Sequence, residues 1–206
     1  MTVMPYHPRP WLSEVRTQVI SLDRAISTAV ATTETPTLDR LLVRLSNAAD
    51  RSRLWLAIAG VVAVVGGPRG RRAAAEAVAS IAIASASSNL VVKSLAPRRR
   101  PQSPGWRFVT SRGVRRPSSP SFPSGHSASA FAFASTMGED VPVTWVPLHL
   151  AASLVAYARV HTGVHYPSDV VAGALVGAMS GWSVRRIARH LPALPHAPEP
   201  RRVPGV

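Results

Sequence analysis

Between residues 54 and 187 the chain alternates apolar stretches of similar length with short polar connections, and this pattern limits the fold more than any other feature. "LWLAIAGVVAVVGG" begins at Leu54, and "AAAEAVASIAIASASSNLVV" begins at Ala73 after the basic "PRGRR", which reads as a tight turn. Three further stretches follow at roughly 125–138, 143–158 and 169–184. A hydrocarbon core about 30 Å thick needs about 20 helical residues to cross it. The stretches are near that length or slightly below it, and alanine dilutes their hydrophobicity. The expected fold is an all-α, polytopic membrane bundle of about five to six transmembrane helices, with about five as the working count. In the last stretch Gly173, Gly177 and Gly181 recur every fourth residue, a spacing that lets a second helix backbone approach closely.

The chain carries +14 net charge yet is 46% hydrophobic, which favours a membrane or polyanionic partner over an ordinary soluble enzyme. It has no cysteine, so disulfides and thiolate metal sites are excluded. The N-terminal residues show no uninterrupted apolar run of the kind a cleavable signal peptide needs. Of 24 Lys and Arg residues, Lys93 is the only lysine, which marks it for attention.

Residues 11–50 read as amphipathic helix. Leu12, Val15, Val19, Leu22, Ile26 and Val30 fall at helical spacing, Thr35-Pro36 interrupts, and Leu38, Leu41, Leu42 and Leu45 resume the pattern. Glu14, Arg16, Asp23 and Arg24 argue against a spanning segment, leaving a helix on the membrane surface or a soluble helical hairpin. The expected organisation is therefore an N-terminal region at 1–53, a membrane-embedded domain at 54–187 and a proline-rich, disordered tail at 188–206.

Polar residues gather where the apolar stretches end. Lys93 closes the second, with Arg100-Pro101 beyond it; Ser124, Gly125 and His126 open the third; Arg159 closes the fourth; His165 and Asp169 stand at the start of the fifth. Ionisable groups at such depths are candidates for function. An even number of spans separates the Lys93–His126 loop from the Arg159–Asp169 loop, so all these groups can face one site. Arginine binds phosphate through a planar fork and lysine as a point charge. Backbone N–H groups near Ser124 and Gly125 would add the anion-binding end of a helix. Asp169, four residues after His165, could orient that ring and leave one nitrogen as a nucleophile, with Ser168 capping the helix that Pro167 starts. His126 could then supply a proton to a leaving oxygen.

Three segments carry a family resemblance: "KSLAPRRRP" from Lys93, "PSGH" from Pro123 and "ARVHTGVHYPSD" from Ala158. In order and spacing they resemble the signature motifs of the type 2 phosphatidic acid phosphatase superfamily, over roughly residues 54–187. Ala158 stands where that family usually has serine. The resemblance implies an integral-membrane lipid phosphatase working through phosphohistidine without metal or other cofactor. It implies His165 as nucleophile, Asp169 as its orienting partner and His126 as acid, with Lys93, Arg100, Ser124, Gly125 and Arg159 holding the phosphoryl oxygens.

Other readings compete. Two histidines and an aspartate can bind zinc, but the neighbouring cations oppose it. His161 lies near the motif, yet spacing selects His165; His149 reads as a buried, hydrogen-bonded structural residue. Arg98, Arg99, Arg107, Arg112, Arg115 and Arg116 read as solvated or bound to lipid headgroups, with contact to a second phosphate of the substrate open to some of them. A vanadate-dependent haloperoxidase resembles the same family but is larger and soluble, and a non-enzymatic anionic-lipid binder leaves the motif spacing unexplained. The expected partners are a lipid phosphate substrate and membrane lipids, with no nucleic acid, and homo-oligomers are left open. The substrate reading leans to a polyprenyl phosphate or diphosphate, with phosphatidate and phosphatidylglycerophosphate as alternatives. The expected location is a bacterial plasma membrane, multi-pass. Arginine counts favour a cytoplasmic site if the spans number five, and a sixth span would remove that inference.

Overall fold

The computed structural model describes residues 10–33, 35–92, 97–101, 114 and 118–190. Among these there is no β-strand. Helices α1 (Pro10–Thr32) and α2 (Pro36–Ala48) precede α3 (Arg53–Val65) and α4 (Gly67–Ala86). A π-helical stretch, Ser87–Val92, prolongs α4. Then come α5 (Gly125–Asp140), α6 (Trp145–His161) and α7 (Pro167–His190). Lys93 lies outside the described residues, as do Arg107, Arg112, Arg115, Arg116 and the tail from 191.

Helix α5 is the axis of the bundle, packed against α4, α6 and α7. Its sequence explains the position. Ala128, Ala130, Ala132 and Ala134 are fully buried, and small side chains let neighbouring helices approach on every side. The few large core residues cluster at one end, where the rings of Trp55 and Phe133 lie 5.5 Å apart beside Met137. The glycine face of α7 meets α5 as its spacing suggests. A Cβ on Gly173 would fall 2.4 Å from the Ser124 carbonyl oxygen, and one on Gly177 would fall 2.3 Å from that of Ala128.

Large apolar side chains face outward instead. Val146, Leu150 and Leu154 on α6, and Leu175, Met179 and Trp182 on α7, are all exposed at helical spacing. Contiguous apolar surface of this kind is unusual for a soluble monomer. Residues 142–161 form a helical segment long and apolar enough to cross a membrane.

One local expectation changes. "PRGRR" is not a turn between helices but the first turn of α4. The reversal is completed by Gly66 and Gly67, the latter at φ 61°, and Pro68 is tolerated because a first-turn residue has no intrahelical N–H partner to lose. Helix α1 turns its apolar stripe outward: Val15, Val19, Leu22 and Ile26 are exposed, whereas Asp23 and Ser27 are buried. It packs against α6 and α7, with Asp23, Ser27 and Ala31 buried and the charged Glu14, Arg16 and Arg24 exposed. The break near Thr35 and the helical character of residues 36–48 agree with the sequence.

Candidate active site

A cavity of about 290 Å³ collects most of the singled-out residues: Arg100, Gly125, His126, Arg159 and His165 all line it. Asp169 stands directly behind His165, and Ser124 is buried beneath the start of α5. Three chain segments far apart in sequence thus reach one place, as the even span count required.

The backbone places His165 first. The Arg159 carbonyl accepts the N–H groups of Val164 (3.2 Å) and His165 (3.1 Å), folding the 162–166 loop back over the end of α6. Gly163, at φ 69°, permits that fold. The His165 ring is held between unlike neighbours. Its Nε2 lies 3.2 Å from Arg100 Nη1, and its Nδ1 lies 3.6 Å from Asp169 Oδ2. Arginine can only donate, so Nε2 is assigned as the lone-pair nitrogen and Nδ1 as the protonated one facing the carboxylate. The lone pair therefore faces the Arg100 guanidinium at the cavity wall.

Burial pushes the His165 ring down to about 4 from its ordinary 6.5, with Asp169 opposing the shift and the Arg159 and Arg100 cations adding to it. The neutral ring persists from alkaline pH down to that value. The folded state then binds fewer protons than the unfolded state between about pH 6.5 and 4, so acidification through this window destabilises the fold by on the order of 3 kcal/mol. His165→Asn should remove that part of the acid sensitivity. Thermal denaturation in detergent at stepped pH checks it, and equal acid sensitivity in variant and parent would refute it.

Arg159 is 3% exposed. Its Nη1 donates to Ser46 Oγ of α2 at 2.6 Å, and its buried Nε has no partner among the described residues. An unmatched guanidinium N–H in a polar cavity is a donor awaiting an acceptor, and phosphate oxygens fit it. Arg100 is anchored by the carbonyls of Ser119 (3.0 Å) and Val164 (2.7 Å).

At the mouth of α5, Ser124 is the N-cap residue, and its oxygen accepts from the Ser127 hydroxyl at 3.1 Å. Its own backbone N–H donates to the Asp169 carbonyl at 2.9 Å. That corrects the expectation that the Ser124 N–H faces an anion: the group is already paired and joins the two motifs. Gly125 keeps the expected place, lining the cavity with open space where a Cβ would stand. His126 Nε2 lies 3.6 Å from Asp50 Oδ1, in a short turn (Asp50–Ser52) that also lines the cavity.

Asp169 is fully buried, with Oδ1 accepting from Arg98 Nη1 at 2.9 Å and Oδ2 from the Tyr166 N–H at 2.9 Å. Arg98 is thus an interior clamp, not a solvated cation. The start of α7 differs from expectation as well. Ser168 does not cap it but lies within its first turn, and Asp23 of α1 receives both the Ser168 N–H (2.9 Å) and its hydroxyl (2.5 Å). A carboxylate satisfies these orphan donors better than a hydroxyl and suits the helix dipole. Asp23 and Arg98 were missed because each reads as an ordinary surface charge. No local signal set them apart, because α1 carries Glu14, Arg16 and Arg24 as well as Asp23.

The residues set aside behave mostly as read. His161 is buried against Asp39 of α2 at 2.6 Å, away from the cavity. His149 is hydrogen-bonded to the Trp145 carbonyl at 2.8 Å and stacked on that ring, but it is only half-buried because α6 turns this side outward. Ala158 is fully buried, its carbonyl accepting the Thr162 hydroxyl at 2.6 Å. Among the described residues no three His, Asp or Glu side chains converge as a metal site would require.

The described bundle packs small residues inside, turns large apolar residues outward and holds two histidines in a cationic pocket. The PAP2 superfamily model matches residues 73–191. The chain belongs to the PAP2 superfamily. Decaprenylphosphoryl-5-phosphoribose phosphatase of Mycobacterium tuberculosis H37Rv is 38% identical over 132 residues, covering 62% of this chain and 67% of that protein. Undecaprenyl-diphosphatase of Sulfolobus acidocaldarius is 41% identical over 64 residues, 31% of each chain. Among solved structures, the transmembrane PAP2 type phosphatidylglycerolphosphate phosphatase from Bacillus subtilis superposes with a TM-score of 0.63 at 24% identity, covering 84% of this chain and 87% of that one. Aquifex aeolicus LpxE gives 0.61 at 20% identity, covering 90% and 99%. Both share the fold.

Proposed function

We propose that this protein is a multi-pass membrane phosphatase that removes phosphate from a polyprenyl-linked phosphate or diphosphate through a phosphohistidine, without a metal. The observation that carries the reading is the His165 ring, which lines one cavity with Arg100, Arg159 and His126 and sets its lone-pair nitrogen beside the Arg100 guanidinium. In the first step the Nε2 lone pair attacks phosphorus and the bond to the leaving oxygen breaks. His126 gives that oxygen its proton. In the second step His126 takes a proton from water, the water oxygen attacks phosphorus, the P–N bond breaks and inorganic phosphate leaves. Arg100, Arg159, Gly125 and, by the motif resemblance, Lys93 hold the equatorial oxygens as charge moves between them. Asp169 stabilises the proton on Nδ1 throughout.

The apolar outer stripes of α6 and α7 favour several crossings, with α1 and α2 at the interface and the cavity near the headgroups. A polyprenyl tail is favoured by the mycobacterial and Sulfolobus relatives, whose names specify decaprenyl and undecaprenyl substrates. The test is phosphate release by the purified protein in detergent with EDTA, across farnesyl diphosphate, undecaprenyl diphosphate, phosphatidate and phosphatidylglycerophosphate. Prenyl substrates should give the highest kcat/KM, and preference for a diacylglycerol substrate would overturn the tail assignment. Labelling of single introduced cysteines from outside intact cells assigns the side of the membrane.

A further inference from the structure

Arg98 lies two residues before Arg100, but the two face different places. Arg100 lines the catalytic cavity. Arg98 instead borders a separate apolar cavity beside α1 and reaches the reacting groups only through Asp169. Its guanidinium bridges two buried carboxylates: Nη1 donates to Asp169 Oδ1 at 2.9 Å and to Ser168 Oγ at 2.8 Å, and Nη2 donates to Asp23 Oδ2 at 2.8 Å. Its plane is also held over the Tyr166 ring, 4.1 Å from the centroid. Asp23 is 2% exposed and Asp169 fully buried.

We propose that Arg98, fixed by Asp23 of α1, is a positioning residue that keeps Asp169 ionised and aimed at His165, so that the N-terminal helix forms part of the catalytic apparatus. This rests on the reading of His165 as nucleophile. The physical reason is charge balance. Two carboxylates buried close together cannot both stay ionised without a cation between them. With Arg98 present the group Asp23–Arg98–Asp169 carries one net negative charge, directed at the ring that becomes cationic on phosphorylation. Without Arg98 a carboxylate takes up a proton. If Asp169 does so, Oδ2 loses its hold on the Nδ1 proton, and the ring turns out of line or presents the wrong nitrogen. Asp23 lies outside the region matched by the family model, so this strut comes from the chain's own N-terminal part.

The test uses the full-length protein in detergent with farnesyl diphosphate, measuring kcat and KM from pH 5 to 9 together with thermal stability. Arg98→Gln should lower kcat by about ten- to a hundredfold with KM within about twofold. It should also move the acid limb of the kcat profile to higher pH, with part of the loss recovered under alkaline conditions. Arg98→Lys should recover part of kcat, and Asp23→Asn should lower it about three- to tenfold while adding little to Arg98→Gln, because Asp23 acts through Arg98. If Arg98→Gln does not fold, Arg98→Lys and Asp23→Asn decide. A kcat within about twofold of the parent and an unmoved pH profile in both would overturn the proposal. So would a raised KM at unchanged kcat, which would make Arg98 a phosphate ligand. His165→Ala, assayed alongside, separates the two failures: if it stays active, the proposed mechanism is wrong, whereas an inactive His165→Ala beside unaltered Arg98 and Asp23 variants removes only this inference.

Discussion

His165→Ala lowers phosphate release by about 10⁴-fold or more, with the fold intact. The loss is large because the neighbouring groups do not take the role proposed for His165: Arg100 and Arg159 are cations, His126 is committed to proton transfer in the proposed mechanism, and His161 is turned away toward Asp39. A substrate labelled in the departing phosphate makes the result specific. The parent protein, quenched during turnover, carries a label stable to alkali and released by acid, as a phosphohistidine must. His165→Ala carries none. His126→Ala turns over about 10²–10⁴-fold more slowly yet still acquires label, because it retains the nucleophile. Label on His165→Ala, or full activity in it, would dismiss the mechanism.

Gly177→Ala has the largest expected effect on stability. Its new Cβ would lie 2.3 Å from the Ala128 carbonyl oxygen and 2.8 Å from the Ala132 nitrogen. Both are backbone atoms of α5 and cannot rotate away as a side chain can. The helices must separate, giving up contacts along their length, at about 3 kcal/mol or more. Gly173→Ala meets the Ser124 carbonyl at 2.4 Å, so it also shifts the α5 terminus that carries His126. It should lose activity beyond its loss of stability. Gly60→Ala on α3 is the control, since its Cβ meets nothing within 4 Å, and it should be neutral or stabilising by up to about 1 kcal/mol. Thermal inactivation in detergent ranks the three, and a Gly177→Ala protein as stable as the parent would show that the helices do not pack this closely.

Much of the architecture was legible because its signals are local. Apolar runs, the break at Thr35-Pro36 and the four-residue glycine spacing each follow from helical periodicity within one segment. The "PRGRR" segment was misread because its charges resemble a loop, whereas Gly66 and Gly67 alone make the reversal and leave the arginines on the first turn of α4. Direction was less legible than helix formation. On α1 the apolar stripe was easy to see, but the sequence left open whether it faces a protein core or a lipid surface, and the structure turns it outward.

The candidate site divides in the same way. His126, Arg159 and His165 could be picked out, because their residue types and spacing carry chemistry on their own. The pairing of His165 with Asp169 was readable from their four-residue separation across the turn that leads into α7. The Ser124 N–H was assigned to an anion because a helix terminus in isolation has free donors, and only the packed structure brings the Asp169 carbonyl to it.

By itself, then, the sequence determined the helical segments, their small-residue contact faces and the identity of the groups that can handle phosphate. The tertiary structure alone decided which way α1 faces, which donors remain for a ligand, and that Arg98 clamps Asp169. The reason is distance along the chain: Asp23 meets Arg98 across 75 positions and Ser168 across 145. A hydrogen bond between such residues depends on how whole helices pack, and it leaves no periodic trace in either segment.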